Sequence, residues 1–153
     1  MELINNDKSN YSFLGRGWSF PPQFEKSAKT VVMLEDEQDI RSSLEILLST
    51  AVGERVMDVN YGCNMDELIF ESLSTSAITI IKDKIEKAIL FFEPRIEVTK
   101  LDLNTDSINI LEGRVLIEIE YIISATNSRY NFVYPFYVNE GTEIQTIIRN
   151  NPV

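Results

Sequence analysis

Apolar positions along this chain change their spacing twice, and the changes divide it into elements. Thr30-Val31-Val32-Met33-Leu34 is a β-branched run that reads as a short strand leading into a helix. Asp36 is the expected N-cap of that helix, and Glu37 and Asp39 place negative charge in its first turn, where the helix dipole favours it. Ile40, Leu44, Leu47 and Leu48 then recur at three- and four-residue spacing, which buries one face and turns Arg41, Ser42 and Glu45 outward. A second helix starts at Ser74, Thr75 or Ser76. Its stripe is Ile78, Ile81, Ile85, Ile89 and Phe92, filled in by Ala77 and Ala88, and Lys82, Lys84, Glu86 and Lys87 carry the wet side. Pro94 disfavours helical geometry at Glu93, so the helix should end there.

From Arg95 onward the period is two. Ile96–Leu103 alternates, Asn104–Asn109 supplies turn residues, and Val115, Ile117, Ile119, Tyr121 and Ile123 mark one face of a strand. Leu116 and Ile122 on its other face predict a central strand covered on both sides. Asn127-Ser128 turns the chain into Tyr130–Tyr137, where Pro135 points to an edge position or a strand end. Residues 142–149 fit a short helix or a further strand. The expected fold class is α+β: two main helices packed on an antiparallel or mixed β-sheet, with a C-terminal β-meander.

Two stretches follow neither period. Phe13–Pro22 mixes large apolar groups with Gly and Pro and reads as a loop or an edge strand. Phe20 and Phe24 are expected to cap one end of the core. Trp18, beside Arg16, fits either the same cap or an aromatic docking surface. Gly53–Glu71, between the helices, is too apolar for a solvated loop, and it is expected to brace the fold by packing Met57, Tyr61, Leu68 and Phe70 against both helices.

Composition narrows the function more than the fold. A chain of 153 residues with 44% hydrophobic content is expected to be one domain, residues 1–153, behind a polar flexible arm at residues 1–10. The single cysteine, Cys63, excludes an intrachain disulfide, and the absence of histidine removes the commonest catalytic base and metal ligand. Cys63 itself reads as a small buried apolar residue. A net charge of −10 argues against nucleic acid and anionic lipid as partners. No apolar run is long enough to span a bilayer, and Met1–Asn10 lacks the features of a signal peptide, so synthesis in the cytoplasm and no direct membrane insertion are expected.

No phosphate loop, nucleophile elbow, paired-cysteine motif or metal-spaced cluster is present, and neither catalytic residues nor cofactors are expected. Carboxylates remain. Glu54, Asp58, Asp66, Glu67, Glu71 and Glu93 lie near the central link, and a glycosidase needs only two carboxylates. With 24 acidic residues in the chain, such a grouping also arises by chance. Glu93-Pro94-Arg95 says more. An extended backbone at Pro94 would place the carboxylate and the guanidinium on the same side. A negative charge at a helix C-terminus is unfavourable, so either Glu93 pairs internally, with Arg55 or Lys87, or the triplet is a polar plug for a partner.

Taken in order, Phe13-Leu14-Gly15-Arg16-Gly17-Trp18-Ser19-Phe20-Pro21-Pro22, Asp39-Ile40 with Leu44 through Leu48, Gly53-Glu54-Arg55-Val56-Met57, Tyr61-Gly62-Cys63, Leu68-Ile69-Phe70-Glu71 and Glu93-Pro94-Arg95 resemble the phage protein W and baseplate-wedge family of contractile injection systems. That family, once labelled lysozyme-like, includes the type VI secretion baseplate counterpart. Val59 and Ser72 stand where the family usually or often has proline. The resemblance implies a structural, non-enzymatic subunit of a phage tail or phage-tail-like particle, present in six copies. It implies docking on the core bundle of the baseplate wedge proteins through Glu93, Pro94 and Arg95, with Arg16 and Trp18 as further contacts. It also implies that the first ring of sheath subunits adds strands to an edge of the sheet, with Arg114–Val138 and the N-terminal arm as candidates. Tube-base proteins are a further expected neighbour. On this reading Arg95→Ala or Glu93→Ala leaves a folded monomer that cannot assemble. The alternatives are a peptidoglycan hydrolase of the baseplate and a soluble adaptor domain of the same fold.

Overall fold

The computed structural model describes residues 13–65 and 74–137. Strand β1 (Arg16–Trp18) pairs with β4 (Met33–Glu35), and β2 (Phe24–Glu25) pairs with β3 (Thr30–Val31). Helix α1 (Asp36–Ser49) follows β4 directly; α2 (Thr75–Phe92) comes after the link. The described residues continue with β5 (Ile96–Asn104), a one-turn helix α3 (Ser107–Leu111), β6 (Arg114–Ile123) and β7 (Ser128–Tyr137), in sheet order β5-β6-β7. Every strand pairing among the described residues is antiparallel, so the expected α+β class holds, and the sheets are antiparallel rather than mixed.

The core forms where the two periods meet. Val115, Ile117, Ile119, Tyr121 and Ile123 of β6 turn inward and are fully buried, against Ile40, Leu44, Leu47 and Leu48 of α1 and Ile81, Ile85 and Ile89 of α2. Each such aliphatic side chain contributes about 1.5–3 kcal/mol by leaving water. Ser74 caps α2 by accepting the Ala77 N–H at 3.2 Å. Strand β6 is central, as its pattern predicts. Its other face is only half-buried at Leu116 and Ile122, so one layer of helices covers the sheet, not two.

Several local expectations are corrected. Val32 interrupts the strand predicted over Thr30–Leu34, because its N–H bonds Gln23 and its carbonyl bonds Ser19, which joins the two small ladders. Glu35, not Asp36, precedes the first turn of α1 and makes no side-chain cap; Asp36 lies inside the helix at φ +54°. Ser42 is buried rather than outward. Asn104–Asn109 winds into α3 instead of a simple turn, since Asn104 Oδ1 accepts from both the Asp106 N–H and Asn109 Nδ2. Phe20 and Phe24 are exposed and do not cap the core. Residues 142–149 lie outside the described residues.

The link does not pack as a uniform brace. Met57 is 97% exposed and Val56 91%, whereas Cys63 and Met65 are buried and the Tyr61 ring meets Phe92 of α2 at 5.0 Å. Arg55 lies over the Tyr61 ring, 3.7 Å from its centroid. Leu68 and Phe70 lie outside the described residues. A tight loop closed by Gly53 N–H to Val59 O at 2.8 Å lifts residues 54–58 away from the core.

Tyr121 is fully buried, yet its hydroxyl has no hydrogen-bond partner among the described residues, and burial pushes its pKa up to about 12. An unmade hydrogen bond of this kind costs about 1–3 kcal/mol. Tyr121→Phe should therefore leave the urea midpoint unchanged or raise stability by up to about 1 kcal/mol. A loss larger than that would show that the hydroxyl is bonded in solution.

Candidate docking site

The N–H of Glu93 bonds the Ile89 carbonyl at 2.8 Å and closes the last turn of α2. Its carboxylate turns inward and is only 3% exposed. Arg95, two residues on across Pro94, faces the same side and grips it through one edge of the guanidinium, Nε to Oε1 at 2.5 Å and Nη2 to Oε2 at 2.6 Å. This fork is the strongest common geometry for a carboxylate pair. The remaining nitrogen, Nη1, donates to Asp39 Oδ2 at 2.6 Å and to the Leu14 carbonyl at 3.0 Å. Hydrogen bonding to Glu93 raises the Arg95 pKa above its usual value against the opposing effect of burial, and Asp39 adds to it, so the guanidinium is permanently charged.

One side chain thus ties together the N-terminal segment, the first turn of α1, the end of α2 and the start of β5. The glycines of Leu14-Gly15-Arg16-Gly17-Trp18 make this approach possible. Gly15 has φ +106°, and a Cβ there would sit 3.3 Å from Arg95 Nη1. A Cβ on Gly17 would collide with the Asp39 carboxylate. Between them, Arg16 bonds Glu35, its cross-strand partner, at 3.2 Å, with both side chains about half exposed. Trp18 stands 60% exposed opposite Met33, and Pro94 is exposed.

Of the five residues singled out in the sequence, Glu93 and Arg95 are therefore brought together as an internal pair, and Arg16, Trp18 and Pro94 carry the accessible surface. Neither partner expected for Glu93 is used, because Arg55 is held over Tyr61 and Lys87 bonds Asp83. The residue that the sequence reading leaves out is Asp39. Its signal was present, since Asp39-Ile40 falls in the same ordered series of family pieces, but an acidic residue in a first helical turn already has an explanation in the helix dipole.

The hydrolase carboxylates that lie among the described residues, Glu54, Asp58 and Glu93, do not assemble. Glu54 caps the local turn by accepting the Ala51 N–H at 3.0 Å, Asp58 is exposed, and Glu93 is locked by Arg95. Asp66, Glu67 and Glu71 lie outside the described residues. No metal-binding group of three acidic or cysteine side chains occurs among the described residues, and no helix there is long and apolar enough to cross a membrane.

The domain is thus α+β, with a three-stranded meander under two helices and the segment leading into β1 tied through Arg95 to the end of α2. Residues 34–128 match the family model of baseplate wedge protein gp25, and this chain belongs to that family. It is similar to the baseplate wedge protein gp25 of Enterobacteria phage T4, with 31% identity over 67 residues, 44% of this chain and 49% of the T4 protein. The match spans about half the length of that curated relative. A candidate tail lysozyme from Geobacter sulfurreducens has a similar structure, with a TM-score of 0.65 and 38% identity, covering 73% of this chain and 99% of that one. A chain of the anti-feeding prophage baseplate shares the fold with a TM-score of 0.58 at 24% identity, over 84% of this chain and 89% of that one.

Proposed function

We propose that this chain is a structural subunit of a contractile injection system, resident in the baseplate of a virion or phage-tail-like particle. It docks on the core bundle of neighbouring wedge proteins and starts sheath assembly, in six copies around the tube. Catalysis forms no part of this role. The observation that carries the reading is the Arg95 hub, which fixes β1 against the end of α2 and leaves Trp18, Arg16 and Pro94 outward on a rigid base. Preorganised aromatic and arginine side chains of this kind are what protein interfaces use. For sheath initiation the support is β7, which is paired on one side only among the described residues and so offers an edge for strand addition. Pro135 lies on that strand and limits which part of the edge can pair.

Against a hydrolase, the described lining of the cleft between α2 and the link has no carboxylate, and that of the cleft beside Tyr130 has Glu120 alone. The family relationship to a candidate tail lysozyme is one of fold and sequence, and it supplies no acid–base pair here.

Trp18→Ala combined with Pro94→Ala is the direct test, because both side chains are accessible and neither bonds the hub. Sheathed particles counted by electron microscopy should fall about tenfold or more, with the urea midpoint of the purified chain nearly unchanged. Normal sheathed particles would remove the docking claim. Release of muropeptides from cell walls by the purified chain, abolished by Glu54→Gln, would replace it with the hydrolase reading.

A further inference from the structure

Between the outward side of α2 and the link lies a cleft of about 300 Å³ that the docking surface above does not use. Ala88, Phe91 and Phe92 line it from the helix, Gly62 and Cys63 from the link, and Val52 from the residue just before the link. The charged residues on its walls, among the described residues, are Lys84 and Lys87, in a chain with 24 acidic and 14 basic side chains. The same two elements hold large apolar groups in water, Leu90 and Phe91 on α2 and Val56 and Met57 on the link.

Chemistry narrows what could enter. Among the described residues no carboxylate lines the cleft. The Cys63 thiol is buried, and burial pushes its pKa up to about 11, so it is not a nucleophile near neutral pH. The volume is at the small end of ligand pockets, which suits one or two large side chains better than a cofactor. Basic walls in an acidic protein select the charge of the occupant. The Lys87–Asp83 pair, an exposed i,i+4 contact, is weak enough to yield to an incoming carboxylate.

We propose that this cleft is a second docking site, which accepts a large apolar side chain of a neighbouring baseplate protein from a segment flanked by Asp or Glu. The apolar anchor fills the space between Phe91 and Val52, and the flanking carboxylates meet Lys84 and Lys87. Water is excluded around the anchor, which is where interface energy concentrates. A basic segment would meet like charge at the rim. The site rests on the baseplate reading, since it needs a neighbour in the particle.

The test uses assembled particles containing the full chain with Phe91 replaced by the photo-crosslinker p-benzoylphenylalanine, followed by peptide identification after irradiation. The expected product joins position 91 to one partner segment that has an aliphatic or aromatic residue next to Asp or Glu. Lys84→Glu with Lys87→Glu should lower that product about tenfold or more, and the uncharged Lys84→Gln with Lys87→Gln should lower it to an intermediate level. In particles that contain the chain, four results overturn the proposal and leave the baseplate reading standing. These are no cross-link, a cross-link to a basic segment, one to a second copy of this chain, and a yield indifferent to the lysines. Particles that form without the chain overturn both.

Discussion

Arg95→Ala should destabilise the folded chain by about 3–5 kcal/mol, the cost of leaving a buried charge without its partner. Glu93 cannot escape to water, because its side chain is 3% exposed and its own backbone closes α2. Asp39, 14% exposed, loses its countercharge in the same step, and the Leu14 carbonyl loses a donor. A stability difference of that size is a large part of what a domain of this length has. Urea denaturation followed by far-UV circular dichroism measures it. Arg95→Lys restores charge without the fork and should recover only part of the loss. The expectation drawn from the sequence, that Arg95→Ala gives a folded monomer defective only in assembly, is thereby set against the geometry. A mutant midpoint equal to that of the parent chain would favour the sequence expectation and remove the hub from the account of stability.

Gly62→Ala is expected to cost about 2–4 kcal/mol, more than a residue in a loop ordinarily would. Its φ is +119°, and a Cβ there would overlap the carbonyl oxygen of Thr50. That oxygen is fixed because it accepts the Cys63 N–H at 2.9 Å, the bond that returns the link to the end of α1. Relief of the overlap therefore means breaking the bond. Gly53 is the natural control. It also has positive φ, at +91°, but nothing lies within 4 Å of a Cβ there, so Gly53→Ala should show backbone strain alone, about 1 kcal/mol. Equal losses at the two positions would mean that close packing at Thr50 contributes nothing.

What was legible in the sequence was whatever obeys a period. Ile40, Leu44, Leu47 and Leu48 on α1 and the alternate residues of β6 are buried as their spacing requires, because core burial is the strongest force on a pattern. Chain ends of elements were read less well. Glu35 precedes α1 where Asp36 was expected, and α3 replaces a turn, because short polar side chains can bond the backbone in more than one way. The link was misjudged at Met57 and Val56. Apolar composition predicts burial only when something is available to cover the group, and an exposed apolar side chain is common on any surface. Around Arg95, the pieces are visible in the sequence but not their contact. Nothing in the spacing of Leu14, Asp39 and Arg95 reveals that one guanidinium reaches all three segments.

The bond from Arg95 to the Leu14 carbonyl joins residues 81 positions apart. A ribosome that has delivered only α1 and α2 has therefore made Arg16 and Trp18 without the guanidinium that ties the segment before them to α1 and α2. Contacts of such sequence separation close late, after the entropy of the intervening chain has been overcome. Before Arg95 is made, β1 is held only by its short ladder with β4, so the full fastening of this segment waits until synthesis has passed the second helix.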